Sequence, residues 1–311
     1  MRNPLRLASP ILALALAACV TTAPDTSPRP EAREEASPIV SEPSAESQAF
    51  ARYYEATQAR RVASGLLRTD GGGSDTPFTA ADLARNFERI ALYDEYTLEG
   101  GRFVQRQTPG RLRRWSGPVR LQAHFGPTVT EAQRAEDRSV LGTYASRLAR
   151  ATGHPIRTVT SNGNFHVLYM DTTTLSTSGP LLRQLVPGIS DDTVREIENL
   201  GRFTYCSVYA FNQPGSSDYV SAIAVIRAEH PSLMRRACVN EEVAQGLGLP
   251  NDSPAARPSI FNDDEEFALL TRQDELMLQM LYDPRLTPGM TPEAARATVR
   301  QIAGELLGGP S

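Results

Sequence analysis

The chain of 311 residues is 40% hydrophobic and carries 32 basic against 36 acidic side chains, giving a formal net charge of −4. Every basic side chain is an arginine, and the arginines are scattered along the sequence, which excludes a basic stripe for nucleic acid. The length and apolar content suffice for one sizeable buried core.

The first eighteen residues have the pattern of a secretion signal. Arg2 and Arg6 precede an apolar run over residues 11–18, which is shorter than the roughly 20 residues that a membrane-spanning helix needs. The run ends in Leu-Ala-Ala-Cys, which resembles the bacterial lipobox. That resemblance implies cleavage before Cys19 and acylation of this cysteine, which would anchor the protein to the outer membrane on its periplasmic side. An ordinary signal peptide followed by a chance cysteine is the alternative.

Two segments connect the signal to the folded part of the chain. Residues 19–46 are rich in proline, serine, alanine and glutamate without periodic apolar positions, which predicts a disordered tether. Residues 47–70 place Phe50, Tyr54 and Leu66 among arginines, which indicates an amphipathic helix. The glycine tract that follows predicts a flexible loop.

Residues 77–290 predict one folded α+β domain with a mixed β-sheet. Thr79 and Asp82 form a capping box at the start of its first helix. Apolar periodicity and turn signals then predict strands over 102–107, 119–125, 156–159 and 164–170, a hairpin-like pair over 204–211 and 219–226, and helices over 80–92, 131–152, 190–199, 232–248 and 271–282. A C-terminal helix and tail occupy residues 291–311.

Cysteine usage agrees with export. Beyond Cys19, the chain has only Cys206 and Cys238, an even pair in an oxidising compartment. We therefore expect a disulfide, which on the chain-entropy account contributes about 3–4 kcal/mol to stability. The alternative is two buried thiols, whereas a nucleophilic cysteine would need a nearby base that the local sequence does not supply.

Residues 241–251 read Glu-Glu-Val-Ala-Gln-Gly-Leu-Gly-Leu-Pro-Asn. The spacing is that of the zinc-protease helix H-E-x-x-H-x-x-G-x-x-H, in which two ligands four residues apart share one helical face. Glu241, Gln245 and Asn251 occupy the three ligand positions. Glu242 occupies the position of the general base, and Gly248 that of the glycine at which the chain turns.

Downstream segments strengthen this resemblance. Ser-Ile-Phe-Asn at 259–262 resembles the Met-turn of matrix metalloproteases, with Phe261 in the place of the methionine that forms the floor of the site. Residues 270–284 resemble the closing helix of the matrixins. The combined run is similar to the proteobacterial family called domain of unknown function 2927, over roughly residues 77–290. The resemblance implies a zincin (metzincin)-like fold with a degenerate active-site helix.

The substituted ligands argue against catalytic zinc. One carboxylate and two neutral amides make a poor zinc site, so we expect no metal and no cofactor. A weak calcium or magnesium site at Glu241, Glu242, Asn251 and Asp252 is the alternative. We expect Gln245 and Asn251 to hydrogen-bond Glu241 or Glu242 and the neighbouring backbone. The competing interpretation is that both glutamates simply face solvent.

These patterns predict a catalytically silent, metallopeptidase-like domain in an envelope lipoprotein. Its cleft would bind a peptide, a peptidoglycan fragment or an envelope protein, because an extended peptide can add to a sheet edge without any metal. One alternative is hydrolysis with Glu242 as base and Glu241 as partner, although adjacent helical residues point about 100° apart. Another is a structural role in envelope assembly, with the helix over 47–70 as a docking element. Among the four histidines, His230 is the one that could reach the cleft.

Overall fold

The computed structural model describes residues 41–99, 102–262 and 264–308, with the backbone alone for residues 94–99 and 102–107. The predicted signal peptide, Cys19 and most of the predicted tether lie outside these ranges. Within them, no helix combines the length and the apolar character needed to cross a membrane.

Sixteen helices and strands make up the described chain. The helices are α1 Ala45–Ala63, α2 Ala80–Ala91, α3 Glu131–Thr152, α4 Thr172–Leu175, α5 Gly179–Leu185, α6 Asp191–Glu198, α7 Ser232–Gly248, α8 Arg272–Leu281 and α9 Pro292–Leu307. The strands are β1 Tyr93–Glu99, β2 Arg102–Pro109, β3 Val119–Phe125, β4 Ile156–Thr158, β5 Phe165–Met170, β6 Cys206–Asn212 and β7 Tyr219–Arg227. The predicted elements of the domain are confirmed to within a few residues, whereas β1, α4 and α5 were not predicted.

The fold is a mixed α+β arrangement, as predicted. Strands β1 and β2 form an antiparallel pair of their own. The five-stranded sheet has the order β4-β3-β5-β7-β6, in which all neighbours are parallel except β6, which runs antiparallel to β7 at one edge. Parallel neighbours require crossover connections, which explains why a helix or helices separate β3 from β4 and β5 from β7.

Both faces of this sheet are covered, so β5 is buried along its whole length. One face carries the main core, to which helices α2, α3, α7, α8 and α9 contribute. The other face carries a smaller apolar cluster with α4, α5 and α6. Alternation along β6 divides its side chains accordingly, with Cys206 and Val208 toward the main core and Tyr209 and Phe211 toward the smaller cluster.

Helix α1 packs onto the domain and is shorter than the predicted 47–70. It ends at Ala63, because Gly65 adopts a left-handed φ of 78° and the chain then bridges from Arg68 to Phe267. Tyr54 is fully buried, and its hydroxyl donates to the carbonyl of Arg202 at 2.9 Å. The aromatic face of this helix is therefore covered by its own chain.

Candidate functional site

Helix α7, which carries the degenerate motif, is held firmly in place. Arg235 donates to Asp137 of α3 at 3.0 Å and to Glu136 at 3.1 Å. Gly246 lies against the ring of Phe165, where a Cβ atom would meet ring carbons at 2.5 and 2.7 Å. Trp115 donates from its indole nitrogen to the carbonyl of Gly246 at 2.8 Å. Ion pairs near one end of the helix and close packing near the other therefore hold it in place.

Gly248 ends the helix as the motif requires. Its φ of 128° lies in the left-handed region, and a Cβ atom there would overlap the carbonyl oxygen of Arg113. The chain then turns, and the backbone amide of Asn251 donates to the carbonyl of Ile90 at 3.3 Å. The turn brings residues 251–253 back toward the helix.

The side chains at the three predicted ligand positions differ in their surroundings. Glu241 and Gln245 lie one turn apart on α7, both partly exposed. The side-chain amide of Gln245 donates to Asp252 at 3.2 Å, and that of Asn251 donates to the backbone carbonyl of Tyr93. These two amide groups thus donate to a carboxylate of the turn and to a backbone carbonyl. Asp252 is the residue of the turn that faces the motif helix.

Glu242 points inward. Its side chain is buried, with the residue only 4% exposed, and among the described residues its Oε2 atom has no hydrogen-bond partner. Burial raises the pKa of Glu242 well above its usual range, and the negative charges of Glu241 and Asp252 raise it further. The interpretation in which both glutamates face solvent is therefore wrong for Glu242.

These acids line a pocket of about 350 Å³. We call it the acidic pocket. Its walls come from α7, from the loop and first residue of β6, from α1 and from the segment over 260–267. The acidic and basic residues that line it are Glu241, Glu242, Asp252, Glu265 and Arg61. Arg61 is ion-paired with Glu265, so carboxyl groups predominate next to Glu242.

The predicted disulfide is confirmed and forms part of the pocket wall. Cys206 at the start of β6 is bonded to Cys238 on α7, with 5.8 Å between their Cα atoms. Cys238 lies one helical turn before Glu242. His230 lies behind the bond, 3.7 Å from the Cys238 sulfur and packed against the ring of Tyr54. Burial lowers the pKa of His230, so this side chain is a neutral part of the interior.

Phe261, the predicted floor residue, is fully buried in the main core. Its carbonyl accepts from the amide of Ser253 at 2.7 Å, which joins the Phe261 loop to the turn after α7. Asp274 holds the same loop by accepting from the Ser259 hydroxyl at 2.5 Å and from the Ile260 amide at 3.1 Å. The sequence identified Asp274 only as a helix cap, and the structure adds this second role.

Strand β6 leads away from the acidic pocket as a sheet edge. All seven of its residues are partly exposed. Within the described chain, its backbone hydrogen bonds go to β7, and no other element supplies one. Phe203, which precedes the strand and lines the pocket, is 68% exposed. The pocket therefore opens beside an unpaired strand edge and an exposed aromatic ring.

Comparison with known proteins fixes the family. Residues 80–301, well over half of the chain, match the family model described as Protein of unknown function (DUF2927). The chain belongs to the DUF2927 family. No curated protein and no solved structure matches it. The role of this DUF2927 domain therefore has to be argued from its site.

The donor atoms of the DUF2927 site do not fit zinc. Among the histidine, cysteine, aspartate and glutamate side chains that the structure describes, three have potential ligand atoms within 4.8 Å of one another, those of Cys206, Glu241 and Glu242. The Cys206 sulfur is bonded to Cys238, so this group offers a zinc ion two carboxylates and no imidazole or thiolate. Asn251, at the third ligand position of the motif, gives its side-chain amide to Tyr93 instead.

Several residues of the site had no distinguishing signal in the sequence. Phe203, Arg61 and Glu265 lie far from the motif along the chain, and only the packing of α1 and of the segment over 260–267 brings them to α7. The motif spacing indicated Asn251, whereas the side chain that lines the pocket is that of the next residue, Asp252.

Proposed function

We propose that this DUF2927 domain binds an extended peptide along β6 and accepts a cationic side chain of that peptide in the acidic pocket, without cleaving it. The observation that carries the proposal is the carboxyl group of Glu242, which is buried beside the edge strand β6; among the residues that the structure describes, neither its Oε2 atom nor the outer edge of β6 has a partner.

The strand edge supplies the backbone contacts. An unpaired edge presents alternating N–H and C=O groups, and an added peptide strand satisfies them while its alternate side chains enter neighbouring pockets. A peptide on β6 would pass the acidic pocket near Cys206, where the strand begins. The exposed ring of Phe203 stands at the same end and offers stacking or cation–π contact.

The charge of the pocket selects the side chain. A carboxyl group that is buried beside other carboxyl groups is kept protonated at a cost to stability. An arginine or lysine side chain in the pocket would supply the missing hydrogen-bond donors and the compensating charge, so Glu242 would ionise on binding. Hydrogen bonds of this charge-assisted kind are about twice as strong as neutral ones.

The expected cell location gives this binding a context. With Cys19 acylated, the domain would stand at the periplasmic face of the outer membrane and meet peptidoglycan stem peptides and envelope proteins. The resemblance of the motif to the metzincins supports a zincin-like cleft that has kept its peptide groove and lost its metal. Mass spectrometry of the Cys19 peptide tests this location, and an unmodified cysteine would contradict it.

Binding can be measured with a designed probe. We would label a blocked nine-residue peptide of serine, threonine and valine that carries one central arginine, and compare it with the same peptide carrying citrulline. Citrulline has the shape of arginine without its charge. Using the full-length protein in neutral detergent, we expect fluorescence anisotropy to show at least tenfold tighter binding of the arginine peptide, worth about 1.4 kcal/mol or more.

Variants assign the preference to the pocket. Glu242→Gln and Asp252→Asn should each reduce the difference between the arginine and citrulline peptides. Glu55→Gln, which changes an exposed glutamate of α1, should leave the difference intact. Equal affinity for both peptides would refute the charge argument, and hydrogen exchange in β6 that is unchanged by the peptide would refute edge addition.

Hydrolysis by paired carboxyl groups is the second candidate. Although adjacent helical residues diverge, carboxylate oxygens of Glu241 and Glu242 lie within 4.8 Å of each other. Two carboxyl groups at such a separation, one protonated and one ionised, are the arrangement of acid–base glycosidases. Incubation with peptidoglycan fragments tests it. Products that form with the wild type and disappear with Glu242→Gln would favour hydrolysis over binding alone.

A further inference from the structure

A second, larger pocket lies at the opposite edge of the sheet. Its volume is about 660 Å³, and it is bounded by β3, β4, α3 and the loop over 158–162. Three guanidinium side chains line it, from Arg120 on β3, Arg157 on β4 and Arg138 on α3. We call it the arginine pocket. It is separate from the acidic pocket and shares no lining residue with it.

The charge of this pocket is one-sided. Its lining contains no carboxylate, although the chain as a whole is acidic. Arg120 and Arg157 are register partners on neighbouring parallel strands, so their side chains leave the same face of the sheet. Like charges placed opposite each other destabilise a sheet. Sheet stability therefore does not explain this pair of arginines.

The partners of the three arginines differ in a way that leaves charge available. Arg120 donates through Nε to the carbonyl of Asn162 at 2.7 Å, a neutral contact that orients the guanidinium. Arg157 is exposed and has no ion pair among the described residues. Arg138 forms an exposed ion pair with Glu131 at 3.2 Å and stacks over the ring of Phe125. Two positive charges thus remain uncompensated in the pocket.

The interior of the pocket adds a second requirement on its ligand. Val159, which is partly exposed and lies two residues after Arg157, lines it together with Ala123, and hydroxyl groups of the loop over 158–162 stand nearby. A ligand that fits has a compact anionic group and an apolar portion. The planar guanidinium fork matches phosphate oxygens in bidentate fashion, which makes arginine well suited to bind a phosphate group.

We propose that the arginine pocket binds a phosphate ester whose carrier is apolar. The phosphate contacts Arg120 and Arg157, and the apolar carrier lies against Val159 on the same face of the sheet. Such an ester is present in the headgroup region of a phospholipid and in free alkyl phosphates. The proposal does not depend on peptide binding at β6.

Isothermal titration calorimetry on the full-length protein in neutral detergent tests the proposal. The probes are hexyl phosphate, dihexanoyl phosphatidylglycerol, dihexanoyl phosphatidylcholine and hexanol. We expect binding of one or both anionic probes, at least tenfold tighter than that of the zwitterionic lipid or the alcohol, and weaker at high salt. Preference for phosphatidylglycerol would identify a lipid headgroup as the source, and preference for hexyl phosphate a free ester.

Variants locate the binding. Arg157→Gln, an exposed change that preserves the sheet, should weaken the anionic probe at least fivefold, and Arg120→Gln should do the same. Arg150→Gln, which removes an exposed arginine of α3 outside the pocket, should change affinity less than twofold. Absence of binding at millimolar concentration, or equal weakening by Arg150→Gln and Arg157→Gln, would overturn the proposal. Circular dichroism confirms that each variant is folded.

Discussion

Replacing Glu242 with glutamine should make the protein more stable at neutral and alkaline pH. Within the described part of the chain, the buried carboxyl group has no hydrogen-bond partner at Oε2, and Glu241 and Asp252 disfavour its ionisation. Glutamine keeps the shape of the side chain but cannot ionise, so at pH 8 the variant avoids the desolvation cost of a buried carboxyl group, which is about 1–3 kcal/mol. A protein of this size gains roughly 2–4 °C of melting temperature for each kcal/mol, so we expect the variant to melt about 5 °C higher at pH 8.

The sign of the pH dependence follows from the raised pKa. The folded protein binds the Glu242 proton more tightly than the unfolded chain, in which a glutamate has a pKa of about 4.3. The stability contributed by the protonated group is complete below that value and is lost as the pH rises toward the folded pKa. The wild type should therefore lose more stability than Glu242→Gln between pH 4.5 and pH 8.

Urea unfolding at a series of pH values provides the assay. Trp115 is the only tryptophan, it is buried, and it donates to Gly246 of α7, so its fluorescence reports on the helix that carries Glu242. Glu55→Gln, an exposed change on α1, serves as the control and should follow the wild-type curve. If the curves of wild type and Glu242→Gln run parallel across the whole range, Glu242 is ionised or solvated in the folded protein, and the assignment of its burial is refuted.

Three further predictions concern the frame of the site. Cys238→Ser removes the disulfide, which joins residues 32 apart in sequence, and should lower the free energy of unfolding by about 4 kcal/mol on the chain-entropy account. Urea unfolding under oxidising conditions measures this loss, and reduction of the wild type should produce an equal one. Gly248→Ala should lower the free energy of unfolding by at least about 3 kcal/mol, because the φ of residue 248 is left-handed and an added Cβ atom would overlap the Arg113 carbonyl. A melting temperature within 2–3 °C of the wild type would contradict this. Burial and the charge of His124 lower the pKa of His166 to about 4, so stability should be lost as the pH falls from about 6.5 toward 4. His166→Gln should reduce that loss by about 1–2 kcal/mol. If urea unfolding shows the same loss of stability in acid for the variant and the wild type, this reasoning is wrong.

Local sequence signals located the elements well. The capping boxes at Thr79 and Thr271 mark true helix starts, because their reciprocal hydrogen bonds involve residues only three apart. Period-two alternation located β3, and the hairpin-like pair predicted over 204–211 and 219–226 is confirmed as the antiparallel pair of β6 and β7. The sheet order could not be predicted in the same way, since it depends on which strands meet after the crossover helices have packed.

The site was predicted less completely than the fold. The motif spacing located α7 and Gly248, and the even cysteine count predicted the disulfide. Burial of Glu242 depends on the loop before β6 and on α1, which are distant in sequence. Arg227 illustrates the same limit, because this buried guanidinium donates to the carbonyls of Thr204, Leu200 and Gly201 and so holds the loop that carries Phe203. Nothing near Arg227 in the sequence indicates that role.

The covalent bond between β6 and α7 has a mechanical consequence. Because the edge strand β6 and the motif helix α7 are joined at Cys206 and Cys238, the distance between these two walls of the acidic pocket is set before a ligand binds. A pocket of fixed width selects ligands by their shape. Binding also does not have to order the pocket wall, so less conformational entropy is lost when the ligand binds. Protein in which this disulfide is reduced would therefore have a less rigid pocket wall.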